Sequence, residues 1–236
     1  MTPKPPLRVR WLGRVSYDDA LAIQHALVDA RRRGDVPDTL LLLEHDPVVT
    51  FGRRGGEDHL RASRAALAEA GIAVRESERG GDVTYHGPGQ LVGYPIVALE
   101  EGRRDAHRYL RDLEAALIDL AADYGVEGRR VEDLTGVWVG QQKLAAIGVK
   151  LFRGWIAGHG FAVNVGADLD GFRHIVPCGI HDRGVTSLAR RIRREPRLKS
   201  VARRCAGHVA RRLGRRPVSS HRSDERLAVA DPEPVS

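Results

Sequence analysis

An α+β fold with a mixed, largely antiparallel sheet and flanking helices is predicted by three features of this 236-residue chain. Two long amphipathic helical patterns, Tyr17 to Arg33 and Ala106 to Tyr124, stand among short apolar runs. The stretch Gly136 to Val165 alternates apolar residues with others and is broken by Gly140, Gly154 and Gly158, as in a meander of antiparallel strands. No repeat of fixed period interrupts this order. The helices are expected mainly on one side of the sheet.

Leu7 to Leu12 reads as an edge strand. Ser16 caps the helix that follows, with Asp18 and Asp19 in its first turn and Gly34 beyond its end. Thr39 to Glu44 is short and continuously apolar apart from its ends, the pattern of a central strand. Val48 to Phe51, after an Asp46-Pro47 turn, reads as that strand's neighbour. A helix from Ala62 to Ala70 stops at Gly71, and Ile72 to Arg75 reads as a strand leading into a glycine-rich elbow. Gln90 to Val97 is a further strand, and Leu198 to Leu213 the last helix. Residues 1–215 are expected to form one catalytic domain. Residues 216–236, rich in Ser, Pro, Asp and Glu, read as a disordered tail.

The net charge of +7 is unevenly spread: from Ala189 onward there are 14 Lys and Arg against 5 Asp and Glu, so the body before it is slightly acidic. A basic tail could steer an acidic macromolecule, although charge runs more often only solvate a helix face. Few aromatic residues are available for base stacking, so no nucleic-acid partner is expected. No apolar run reaches membrane-spanning or signal-peptide length. The two cysteines, Cys178 and Cys205, leave no disulfide framework, and a soluble, cytoplasmic protein is expected.

Cys178 sits between Pro177 and Gly179 in Ile175-Val-Pro-Cys-Gly-Ile180 and is the candidate nucleophile. A thiol reacts as thiolate and needs a cation or base nearby. Lys143, His86, His159, His174 and His181 are the candidates. Lys143 interrupts an apolar strand pattern, which suits a half-buried ammonium beside a thiol as well as it suits a lysine snorkelling to water. Cys205 reads as a small core residue. The elbow Arg79 to His86, running through Gly87-Pro-Gly-Gln90, can bring backbone donors close to a ligand, with Thr84 and His86 on one strand face. The histidines and Cys178 fit no compact ligand spacing, so no metal and no cofactor are expected.

Four blocks in order, Arg79 to Pro95, Lys143 to Gly148, His159 to Asn164 and Ile175 to Leu188, make the chain resemble the lipoyl(octanoyl) transferases of the superfamily that also holds lipoate and biotin protein ligases. The resemblance implies the catalytic-domain fold of biotin and lipoate protein ligases. It implies Cys178 as the acyl-thioester residue and Lys143 as the partner that lowers its pKa. It implies an acyl site walled by Arg79, Gly80, Gly81, Asp82, Val83, Thr84, Tyr85 and His86, by Ala146, Ile147 and Gly148, and by His159, Gly160 and Phe161. The implied reaction moves an octanoyl or lipoyl group from acyl carrier protein to a lysine of lipoyl domains in 2-oxoacid dehydrogenase E2 subunits and the glycine cleavage H protein. It needs no ATP, because amide formation from a thioester is downhill, and a monomer is expected. An ATP-dependent lipoate or octanoate ligase is the alternative within the fold, and a nucleic-acid-binding module the distant one.

Overall fold

The computed structural model describes residues 3–166, 168–176 and 183–219. Its main sheet has eight strands: β1 (Pro6–Val15), β2 (Thr39–His45), β6 (Gln90–Ile96), β7 (Arg129–Val131), β8 (Leu134–Val139), β9 (Gln142–Phe152), β10 (Ile156–Asn164) and β11 (Arg216–Ser219). Their spatial order is β11-β1-β2-β6-β10-β9-β8-β7. The two pairings made by β1 are parallel and all others antiparallel, so the sheet is mixed as expected.

The continuous apolar run of β2 has a direct cause, because both faces of that strand are covered. Leu41 and Leu43 pack with Ala20, Leu27 and Val28 of α1 (Tyr17–Arg33). Leu40 and Leu42 pack with residues of α3 (Ala106–Ala122) and α5 (Leu198–Arg212). The helices therefore lie on both faces of the sheet, not mainly on one. Helix α1 begins as its sequence dictates: Ser16 Oγ accepts from Asp19 N, and Gly34 closes the other end at φ 86°. Asp105 caps α3 by accepting from His107 N and Arg108 N. Cys205 is a core residue of α5, and burial pushes its thiol pKa up.

Two expectations about the sheet fail for reasons of distant pairing. β1 is not an edge strand, because β11 pairs beside it, Leu7 opposite Pro217 and Val9 opposite Ser219. Residues 216–219, assigned to the tail by composition, thus belong to the folded body. Nor is Val48 to Phe51 a neighbour of β2, whose sides are already occupied by β1 and β6. It forms β3 (Val48–Phe51), the middle of a second sheet between β4 (Ala73–Glu76) and β5 (Val83–His86). This small sheet has its own core, in which Val49, Phe51 and Val83 pack with Leu67 of α2 (Arg64–Glu69) and with Phe172 and Ile175. A short helix, α4 (Leu188–Ile192), capped by Ser187, precedes α5. Among the described residues no helix is long and apolar enough to cross a membrane.

Candidate active site

A cavity of about 780 Å³ lies between the two sheets. Its walls are the elbow, the inner faces of β6, β9 and β10, the start of α3 at Ala106 and Leu110, and the β7–β8 turn at Asp133 with the start of β8 at Leu134 and Thr135. The turn is tied to α3 by Glu114, which is fully buried. Its carboxylate accepts from Gly136 N at 3.1 Å, Arg111 Nη1 at 2.7 Å and Arg130 Nε at 2.9 Å. A buried carboxylate persists because those donors offset its lost hydration.

The elbow is laid directly on β9, where Gly80 N donates to Val149 O at 2.9 Å. That approach needs glycine at 148, since a Cβ there would stand 2.7 Å from Gly80 O. From the other side the turn Gly52 to Gly55 clamps it: Arg53 N donates to Arg79 O at 3.0 Å and Arg54 N to Gly81 O at 3.1 Å. The Arg79 side chain points inward, and its Nη2 donates to both Thr50 O and Thr50 Oγ1 at 2.8 Å, joining the elbow to β3. Asp82 accepts from His59 Nδ1 and from Val83 N.

Behind this wall lies a chain of buried polar groups whose proton positions follow from their partners. His45 Nδ1 faces the Val15 carbonyl at 2.9 Å and must donate, so His45 Nε2 accepts from the Tyr94 hydroxyl at 2.7 Å. His86 Nδ1 donates to Gln90 Oε1 at 2.6 Å. Gln90 Nε2 donates to Asn164 Oδ1 at 3.0 Å, and Asn164 Nδ2 to Thr186 O at 3.0 Å. His159 adopts φ 53°, a left-handed conformation uncommon for a residue with a side chain, and its N–H donates to Gln24 Oε1 at 3.0 Å. His159 Nε2 is buried and meets no hydrogen-bond partner among the described residues. Desolvation, then the nearby His45, lowers the His86 pKa to about 3; desolvation, then Arg79, lowers that of His159 to about 4. Both imidazoles are neutral at neutral pH and can act as hydrogen-bonding groups without adding charge.

Lys143 does not snorkel to water. It is 7 % exposed, lines the cavity and holds its Nζ 4.8 Å from the centroid of the Trp138 ring, on which Arg183 also stacks. Its backbone is joined to the chain ahead of α4, with Lys143 N donating to Gly184 O at 2.9 Å and Thr186 N to Lys143 O at 3.0 Å. Cys178 and His181 lie outside the described residues. The chain preceding them ends with Val176 N donating to His59 O. His174 closes a short 3-10 helix, Asp170–His174, away from the cavity lining.

The structure brings together at this cavity Lys143, Arg79, Gly80, Gly81, Asp82, Val83, Thr84, His86, Ala146, Ile147, Gly148, His159, Gly160 and Phe161. Tyr85 is set apart. On β5 alternate side chains point to opposite faces, and Tyr85 packs on Phe172 with ring centroids 5.5 Å apart. Sequence reasoning missed Tyr17, Tyr94, Asp133 and the pair Arg53 and Arg54, all on the lining. The Gly52-Arg-Arg-Gly-Gly56 string is a turn signal that could have drawn attention to the arginines.

The half-open slot between the two sheets, with its buried lysine and neutral histidines, lies within a catalytic domain, for residues 16–210 match the family described as the lipoyl protein ligase A/B catalytic domain. The chain belongs to that family. Among curated relatives it is 51% identical over 205 residues to a protein of Chloroflexus aurantiacus named octanoyltransferase, covering 86% of this chain and 92% of that one. A protein of Rubrobacter xylanophilus with the same name is 52% identical over 203 residues, covering 86% and 91%. In fold the chain resembles lipoate-protein ligase A bound with ATP, with a TM-score of 0.70 at 16% identity, covering 95% of this chain and 92% of that one. It also resembles the bi-partite lipoate protein ligase from Thermoplasma acidophilum, with a TM-score of 0.69 at 16% identity and coverage of 95% and 90%.

Proposed function

We propose that this chain is an octanoyltransferase of protein lipoylation, in which Cys178 carries the acyl group and Lys143 manages protons. The Cys178 thiolate attacks the carbonyl of a donor thioester, and the tetrahedral intermediate expels the donor thiolate, which takes a proton. The octanoyl group is then a thioester on Cys178. A lysine amine of a lipoyl domain attacks the same carbonyl, loses a proton and forms an amide, and Cys178 leaves as thiolate. Lys143 as ammonium favours the Cys178 thiolate and protonates the departing donor thiolate; as amine it takes the proton from the attacking lysine. Acyl carrier protein is the proposed donor. Lipoyl domains are the acceptors, those of 2-oxoacid dehydrogenase E2 subunits and the glycine cleavage H protein being the specific ones proposed, in a cytoplasmic setting that keeps Cys178 reduced.

The observation that carries this reading is the position of Lys143. Its buried side chain lines the cavity, and its backbone is bonded to Gly184 and Thr186, the strand of chain that follows the Cys178 segment. Relatives named octanoyltransferase at about half identity support the acyl group and the reaction class. The cavity, lined among others by Ala146, Ile147 and Phe161, is large enough at about 780 Å³ for an alkyl chain. Each buried methylene contributes about 0.8 kcal/mol, so an eight-carbon tail supplies on the order of 5 kcal/mol of binding.

Incubation with octanoyl-acyl carrier protein in the absence of ATP, followed by intact-mass spectrometry, tests it. Wild type is expected to gain one octanoyl group, labile to hydroxylamine, and Cys178→Ser to gain none at that linkage. Activity confined to free octanoate plus ATP would overturn the reading in favour of the ligase chemistry known among its fold neighbours.

A further inference from the structure

We propose that Arg53 and Arg54 form an anion subsite at the cavity mouth that binds the phosphate of the donor's pantetheine arm. The inference rests on the acyl-thioester reading and deepens it by assigning a second recognition point on the donor.

Both arginines line the cavity, and both are exposed to solvent. Neither side chain makes a hydrogen bond, ion pair or ring contact among the described residues. Nearby arginines are engaged: Arg64 with Glu57 at 2.7 Å, Arg75 with Asp18 at 2.8 Å, and Arg79 with Thr50 at 2.8 Å. The positions of Arg53 and Arg54 are nonetheless fixed at the backbone, since their N–H groups are bonded to Arg79 O and Gly81 O. The turn closes through Gly55 N to Gly52 O at 2.8 Å, and a Cβ on Gly52 would stand 2.5 Å from Gly81 O. The fold therefore holds the backbone of Arg53 and Arg54 against the elbow while both side chains remain exposed on the cavity lining.

Charge balance at the mouth favours an anion. Asp82, the nearest acid in the elbow, is already bonded to His59 and to Val83 N, and Asp133 stands across the cavity on the β7–β8 turn. A guanidinium pair of this kind matches the oxygens of a phosphate. An anion held there by a molecule whose acyl end fills the cavity must be joined to that end through the mouth. An acyl thioester on a phosphorylated pantetheine arm has that layout: an alkyl chain, a thioester, an uncharged linker, then a phosphate. A fatty acid does not, because its only charge is on the carboxylate that reacts.

Transfer kinetics with two small donors test this: octanoyl-pantetheine and octanoyl-4′-phosphopantetheine, which differ only in the phosphate. Wild type is expected to prefer the phosphorylated donor by about tenfold or more in kcat/KM, as one charge-assisted hydrogen bond would give, with the preference shrinking as salt is raised. In Arg53→Ala/Arg54→Ala the preference should fall to within about twofold. Circular dichroism of the variant is expected to match wild type, since both side chains are exposed. A preference that survives the double substitution, or a wild type indifferent to the phosphate, overturns the subsite while leaving the thioester reading intact if both donors still acylate the protein. Failure of every thioester donor to acylate it would remove the reading and the subsite together.

Discussion

Arg215 and Lys143 are both cations withdrawn from water, and the two regions around them show what burial of charge is for in this fold. Arg215 sits where α5 hands over to β11. Its Nε donates to Asp38 Oδ2 at 2.7 Å and its Nη1 to Glu100 Oε1 at 2.6 Å, while Nη2 reaches Ala98 O at 3.2 Å. Asp38 in turn accepts from Arg31 Nε at 2.7 Å and Ala98 N at 3.0 Å. Protein groups claim this pair from every side, and it joins the chain's last described strand to its first third. Lys143, by contrast, is set against the face of Trp138 on the wall of a cavity large enough for a ligand. Arg215 is enclosed by acids away from the cavity, whereas Lys143 lies on the cavity wall, where the proposed chemistry would take place.

Four measurements would sharpen or break that contrast. Lys143→Ala should cost about 10²–10⁴ in the rate of transfer, as loss of a proton-handling group does, with little change in melting temperature. A variant that unfolds instead would place Lys143 with Arg215 as a structural cation. Arg215→Ala should do the reverse: with side chains 8% and 4% exposed in the pair, removing one of the two arginines that hold Asp38 costs about 1.5–3 kcal/mol of stability, read by urea unfolding, while activity per folded molecule stays within a factor of two. Gly148→Ala forces a methyl against Gly80 O and should cost about 1–3 kcal/mol together with a raised KM for the acyl donor, separating the elbow's packing role from its binding role.

A further expected effect concerns acid. His86 and His159 have folded pKa values of about 3 and about 4, below the ordinary 6.5, because burial disfavours their charged forms. The unfolded chain therefore binds more protons between those limits, and the stability these two groups contribute is present above about 6.5 and lost progressively as pH falls toward 3. The urea midpoint should decline on going from pH 7 to 4.5, and less steeply in His159→Gln. An equal slope in that variant would show that the cavity histidines are not what makes the fold acid-sensitive.

Much of the scaffold was legible because its causes are local. The cap at Ser16, the glycine stop at Gly34 and the alternation through β8, β9 and β10 each reside within a few residues of one another. Thr84 and His86 could be placed on one face of β5 by period alone, and the same period sends Tyr85 to the opposite one, where grouping by block had misled. The elbow and Lys143 were visible as oddities, a glycine-rich run and a charge in an apolar strand. Arg53 and Arg54 were not singled out, because an arginine pair in a glycine turn looks the same whether it meets a carboxylate or open solvent. Nor does any local signal indicate that His159 would take φ 53°, since its backbone is held by Gln24 from α1.

The order of residues alone determined the helices other than the short α4, most of the strands and the types of side chain available for acyl chemistry, because capping, periodicity and turn preference act over less than one element's length. Tertiary structure alone decided that β3 would leave the main sheet, that β11 would join it, and that helices would cover both faces. It also decided which of several polar residues would share one cavity. Those outcomes depend on hydrogen bonds and burial between segments far apart in the chain, and such contacts exist only once the whole chain has closed on itself.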